Sequence, residues 1–361
     1  MQQAVAVDYG VGFSLSLDYG TSVVYTENGT SIGVAKIEGS PAYKALMHAQ
    51  TWLTPKTSQD DFRSRVPLQQ MPLVSQLANV DSWCDRLPDW ICTGSEEQSV
   101  ITMSQMLQGL KAATESYLTT ELSYVNIATP NKATENFTHV LASAATRASL
   151  QQDDVGILRA NIWAANINTI EDYFCEESVR VVLALDYSRA GLTATLIEDD
   201  CGMPYDLVTI HDRSVGTRQW SDDSWSKLVR EFREFIAQGR REFGGNDAIS
   251  KIVLLGESAN DERLKDILRE VLLDKDVLHP IMHWNLHANS IDVLEPIDPL
   301  YAAAAGVASR AWTHLFDEER GGLCQVPIDL RKQIGYQNRL ASAQKAMQTV
   351  HADSEVARVW E

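Results

Sequence analysis

The sequence predicts an α/β protein of two lobes, each a mixed five-stranded sheet flanked by helices, with a central cleft between them. Three observations carry this expectation. A strand-rich block followed by helical segments occurs twice along the chain. The string Leu15-Ser-Leu-Asp-Tyr-Gly20 is nearly repeated as Leu183-Ala-Leu-Asp-Tyr-Ser188, each time at the end of a first strand and just before a second. At 361 residues and 44% hydrophobic, the chain exceeds the size at which one core usually splits.

The first block alternates strongly. Residues 13–37 run FSLSL, DYGTS and VVYTE, turn at Asn28-Gly29, and continue as SIGVAKI, a hairpin signature. A helix is expected near Pro41–Trp52, inside a peripheral subdomain of about residues 40–100 that is punctuated by Pro55, Pro67, Pro72 and Pro88. Met103, Met106, Leu107, Leu110, Ala113, Tyr117 and Leu118 recur at helical spacing and read as core. The strand YVNIAT follows, then helices at about 134–150 and 159–173.

The second block opens with VRVVLALDY, GLTATLIED and YDLVTIHD. A long helix at about 222–243 stops at Gly244-Gly245, with Asp222-Asp223 as its cap. KIVLLGE reads as a buried strand and 261–273 as a helix. DPLYAAAAGVASRAW reads as an Ala-rich helix with Pro299 in its first turn. The expected division is lobe I over 1–175, lobe II over 176–297, a connecting helix at 298–316 and an extension at 317–361 with a helix near 338–350.

Composition excludes several classes. A formal net charge of -18 argues against a nucleic-acid-binding face, which needs clustered Lys and Arg. The stretch Met1–Gly12 has no basic start and no long apolar run, so it does not read as a secretory leader. No run approaches a membrane span, and a cytoplasmic setting is expected. Cys84, Cys92, Cys175, Cys201 and Cys324 lack CxxC spacing, which disfavours a disulfide framework or zinc ribbon. His279, His283 and His287 fall four apart, but Pro280 and the apolar residues between them favour a packed turn over a metal site.

A strand that ends in Asp and turns through small residues into a second strand has a chemical use. Backbone N–H groups of the turn cradle phosphate oxygens, and the carboxylate sits near a bound metal or its waters. Asp18-Tyr-Gly-Thr-Ser22 resembles the first phosphate motif, Asp-x-Gly-Thr-Thr/Ser, of the superfamily of actin, sugar kinases and seventy-kilodalton heat-shock chaperones. Asp8-Tyr9-Gly10 is a rival for the same position. Asp186-Tyr-Ser-Arg-Ala-Gly-Leu-Thr193 resembles the second motif, KIVLLGESAND the adenosine motif, and DPLYAAAAGVA the final connecting helix. The resemblance runs in order from about residue 13 to 312.

It implies a duplicated actin-like ATPase fold, related to ribonuclease H, closest to a divergent heat-shock-chaperone ATPase domain without a peptide-binding domain. It further implies a nucleotide held by Asp18, Gly20, Thr21, Ser22, Ser188, Arg189, Gly191, Gly256 and Ser258. Magnesium would be met through waters by Asp18 and Asp186, and Asp186 is the candidate catalytic residue. Several positions depart from the pattern. Ser188, Arg189 and Ala190 replace glycines of the second loop. Thr193 replaces its second aspartate, and Glu257 a glycine of the adenosine motif. Asn161 stands where a catalytic glutamate belongs, and an amide takes no proton from water. Lys56 is the candidate for the phosphate lysine. These departures imply weak ATP or ADP binding with little or no hydrolysis. The alternative is a pseudo-ATPase scaffold that binds no nucleotide and works through protein contacts.

Overall fold

The structure is a computed structural model that describes residues 9–49, 96–152, 158–169, 180–200, 203–217, 222–242, 249–272 and 297–319. It is a mixed α/β protein with two four-stranded sheets and, among the described residues, seven α-helices. The five cysteines, Asp8, Lys56, the three spaced histidines, most of the peripheral subdomain and the segment 320–361 lie outside the described residues.

In the first sheet, β1 (Tyr9–Leu15), β2 (Tyr19–Thr26) and β3 (Ser31–Glu38) form an antiparallel meander. After α1 (Pro41–Ala49) and α2 (Glu96–Leu118), β4 (Asn126–Ala128) returns parallel to β1, giving the order β3-β2-β1-β4. Helices α3 (Glu135–Arg147) and α4 (Ala160–Thr169) follow. The second sheet repeats this plan. β5 (Arg180–Ser188), β6 (Gly191–Asp200) and β7 (Met203–Asp212) meander, and after α5 (Asp222–Glu242) the strand β8 (Ile249–Leu255) returns parallel to β5. Its order is β7-β6-β5-β8. Helices α6 (Glu262–Leu272) and α7 (Ala302–Glu319) complete the described chain.

The strands alternate between two buried faces. Val11, Phe13 and Leu15 join Met103, Leu107 and Leu110 of α2 and Phe137 and Leu141 of α3 in one core. Leu183, Leu185 and Tyr187 join Phe232 and Ile236 of α5 and Ile267 and Leu268 of α6 in another. The opposite faces meet the crossed helices. Val182 and Ala184 of β5 pack with Ala164 and Ala165 of α4, and Val23 of β2 packs with Ala304 and Ala308 of α7. The helix that closes the first half therefore covers the second sheet, and the helix that closes the second half covers the first. Small residues permit this exchange: a Cβ on Gly12 would lie 2.1 Å from the Ala304 carbonyl oxygen, and one on Gly306 2.1 Å from that of Trp163. The α4–α7 contact also sets the Arg310 guanidinium 5.1 Å from the centre of the Trp163 ring.

Several boundaries differ from expectation. Among the described residues each sheet has four strands where five were expected, and isolated parallel bridges join Tyr124 to Gln151 and Thr129 to Arg159. Pro299 stands in a turn before α7, not in the helix: Asp298 accepts from the Leu300 N–H at 2.9 Å, and the helix begins at Ala302. Tyr117 is about half exposed, at 51%, on the outer side of the turn whose Leu118 packs against the core.

Candidate functional site

Register places the polar residues that face the space between the sheets. In the first sheet Ser14 of β1 is paired with Ala128 of β4 and Thr21 of β2, and Thr21 with Lys36 of β3. In the second, Asp186 of β5 is paired with Leu255 of β8 and Thr193 of β6, and Thr193 with His211 of β7. Directly paired residues share a face. The two rows, Ala128–Ser14–Thr21–Lys36 and Leu255–Asp186–Thr193–His211, hold equivalent positions in equivalent sheets.

Both hairpins turn through two residues. Ser16 donates its N–H to the Tyr19 carbonyl at 2.8 Å around Leu17-Asp18, and Ser188 pairs with Gly191 around Arg189-Ala190. Counting along the strands makes Ser14 the counterpart of Asp186, and Asp18 the counterpart of Ala190. The near-repeat of the two six-residue strings is therefore out of register by four residues. Leu15–Gly20 straddles a turn, whereas Leu183–Ser188 lies within a strand.

This corrects the expectation that Asp18 and Asp186 end equivalent strands and face one another. The Asp18 carboxylate, buried at 2% exposure, meets His48 Nε2 of α1 at 3.0 Å instead. Alternation also divides the remaining residues of the first motif. Thr21 faces the inter-sheet space, while Gly20 lies against Met106 and Leu110 of α2 and Ser22 shares its parity. Asn161 belongs to a packing contact: its Nδ2 donates to Thr195 Oγ1 at 2.7 Å, fastening α4 to β6.

Asp186 occupies the centre. It lines two small cavities, one with Ser14, Ser16, Tyr19 and Thr21, the other with Ser16, Ser188, Thr193 and His211. Its Oδ1 is buried with no hydrogen-bond partner, 2.5 Å from where a Cβ on Gly256 would stand. Burial, and secondarily the Glu257 carboxylate, push the Asp186 carboxyl up to about 7. His211 Nδ1 lies 2.8 Å from Thr193 Oγ1, and its Nε2 accepts from Arg213 Nε at 3.2 Å, so the ring is neutral with its proton on Nδ1. Burial, then Arg213 and His48, bring it down to about 4.

Next to the cavity-lining Thr21 in register and Gly256 in sequence, Lys36 and Glu257 join a ring of charges that the sequence pattern did not bring together. Lys36 Nζ lies 2.7 Å from Glu257 Oε2 and 3.1 Å from Glu38 Oε1. Arg189 reaches Glu257 Oε1 through Nε and Glu38 Oε1 through Nη2, the latter at 2.7 Å. Lys44 meets Glu38 Oε2 at 3.4 Å, and the Glu257 N–H donates to the Tyr19 hydroxyl at 3.1 Å. Burial opposes the charge on both carboxylates, but hydrogen bonds from Lys36 and Arg189 outweigh it. Glu38 falls to about 2, and Glu257 stays below its usual range. Lys36 and Glu38, two apart on β3, carried the one sequence signal available: they share a face, and that face is the inner one.

Two of the second turn's N–H groups are used by the chain itself. That of Arg189 points to Glu257 Oε1 at 3.4 Å, and that of Ala190 to Ser188 Oγ at 3.2 Å. Gly191, at φ +152°, and Gly256, at φ +99°, take backbone angles that favour glycine. Ser258 donates its N–H to the Tyr187 carbonyl at 3.0 Å. Among the described residues no group of three His, Cys, Asp or Glu is placed to hold a metal ion. The first cavity measures about 10 Å³, the room of a single water.

No protein-family model matches the chain, and no curated protein matches it. No helix of the described residues is long and apolar enough to cross a membrane.

Proposed function

We propose that the chain is a pseudo-ATPase of the actin-like superfamily. In this reading its cleft is held shut by its own side chains, and it acts through protein contacts rather than hydrolysis. The two matching sheets with exchanged closing helices support the fold assignment. The observation that carries the functional reading is the fate of the phosphate donors. The Arg189 N–H and guanidinium and the Lys36 ammonium, which a polyphosphate would need, all bind Glu257 and Glu38.

The reacting groups are depleted as well. Ser14 stands opposite Asp186 where a second carboxylate would help hold a metal, and Asn161 serves packing. Weak binding of ATP or ADP, the other expectation from the sequence, requires the charge ring to part. Sheets tied at several points by direct polar contacts disfavour that opening. Besides the ring, Arg213 Nη1 donates to the His48 carbonyl at 2.6 Å.

A melting-temperature titration with Mg-ATP tests the proposal, because a ligand that binds only the folded state stabilises it by an amount that grows with the logarithm of its concentration over its dissociation constant. The expected result is an unchanged melting temperature at millimolar Mg-ATP. A rise that grows with Mg-ATP concentration, or steady phosphate release lost in Asp186→Ala, would defeat it.

A further inference from the structure

The charge ring has an unequal composition. Three cations, Lys36, Lys44 and Arg189, meet two carboxylates, Glu38 and Glu257, leaving a local excess of one positive charge. This excess sits on a chain whose formal net charge is -18. The donors also converge. Glu257 takes the Arg189 backbone N–H and side-chain Nε on one oxygen and the Lys36 ammonium at 2.7 Å on the other.

A backbone N–H, a guanidinium and an ammonium aimed at one pair of oxygens make a cradle for an oxyanion. Its position is fixed by packing on both sides. Arg189 lies in the β5–β6 turn, whose carbonyl oxygen would be 2.3 Å from a Cβ on Gly216, and Lys36 lies on β3 with its ammonium 4.8 Å from the centre of the Tyr19 ring. Glu257 follows Gly256, which is itself held by an N–H bond to the Pro299 carbonyl at 3.0 Å. The carboxylate is thus delivered from a constrained corner of backbone into a preformed set of donors. Glu257 is the most buried member of the ring, its side chain 10% exposed against 28% for Lys36 and 31% for Arg189.

We infer that Glu257 is an internal, autoinhibitory ligand of a phosphate-type oxyanion cradle built from Arg189 and Lys36, and that removing its charge opens this cradle to a polyphosphate anion. The inference rests on the closed-cleft reading and names what closes it. With Glu257 neutral the ring carries three cations against Glu38, with the Asp186 carboxyl nearby, a balance that still favours an added anion.

The test compares the native chain with Glu257→Gln, which keeps the shape and removes the charge. Each is titrated with inorganic pyrophosphate and its melting temperature followed, with sodium chloride at matched ionic strength to account for screening. The expected result is a rise of several degrees in Glu257→Gln that grows with the logarithm of pyrophosphate concentration, none in the native chain, and loss of the rise when Arg189→Gln is added. Glu257→Ala, read in the same way, covers failure of the Gln variant to fold. A folded variant without a pyrophosphate response would overturn the inference, as would a native chain responding equally. The first outcome leaves the closed-cleft reading standing. Mg-ATP binding by the native chain strikes that reading instead.

Discussion

Replacing Asp186 by Asn should change how stability depends on pH, and the size of the change follows from burial. The folded carboxyl keeps its proton up to about 7, whereas an unperturbed one loses it near 3.8. Between those values the folded state binds the extra proton, so this group's contribution to stability falls as pH rises through the window and stays low above it. The interval is about three pH units at about 1.4 kcal/mol each, or roughly 4 kcal/mol in all. Asn keeps the shape and cannot ionise. Relative to the native chain, Asp186→Asn should therefore gain on the order of 4 kcal/mol between pH 4 and pH 8.

Urea unfolding at half-unit pH steps measures this as a difference of two curves. The difference matters because other groups titrate in the same range. Burial raises Glu231 to about 7, adding a fall of the same sign. His211, lowered to about 4, stays neutral when folded and so adds stability as pH rises toward 6.5. Both act in native and variant chains and cancel. Parallel curves for the two proteins would refute the burial of a carboxyl between the sheets.

Three further outcomes follow. Gly256→Ala should cost about 2–3 kcal/mol by urea unfolding, since φ is +99° and the added Cβ would stand 2.4 Å from the Tyr187 carbonyl oxygen and 2.5 Å from Asp186 Oδ1. Gly12→Ala should cost about 3 kcal/mol and raise protease sensitivity, because its Cβ would drive α7 away from β1 at the Ala304 carbonyl. Asn161→Asp should cost about 2–4 kcal/mol near neutral pH and yield no phosphate release from Mg-ATP; it places a charge in a buried contact with Thr195, not beside a reacting group. An Asn161→Asp variant of native stability that releases phosphate would contradict the packing role.

Much of the architecture was legible from periodicity. The meanders, the long helices α2 and α5, the buried strand β8 and the Ala-rich α7 all stand close to where the sequence put them. Register was not legible, for a physical reason. Every residue of β1 after Tyr9 and every residue of β2 before Thr26 is buried, because α2 and α3 cover one face and α7 the other. Alternation pins register only where one face is wet. With both faces dry, the Leu-Asp-Tyr echo was the only guide, and it misplaced the first-sheet counterpart of Asp186 by four residues. The charge ring escaped notice because it joins β3, a hairpin turn and the end of β8, with Lys36 and Glu257 separated by 221 positions. Arg189 and Glu257 stood out in the sequence as departures from the pattern it resembles; that they bind one another became visible only in three dimensions.

The most direct measurement is amide hydrogen exchange of the native chain with and without millimolar Mg-ATP, read at residues 14–21, 186–191 and 255–259. A cleft filled by Glu257, Arg189, Lys36 and Glu38 predicts superimposable exchange at these segments. Slower exchange confined to them in the presence of nucleotide would contradict it.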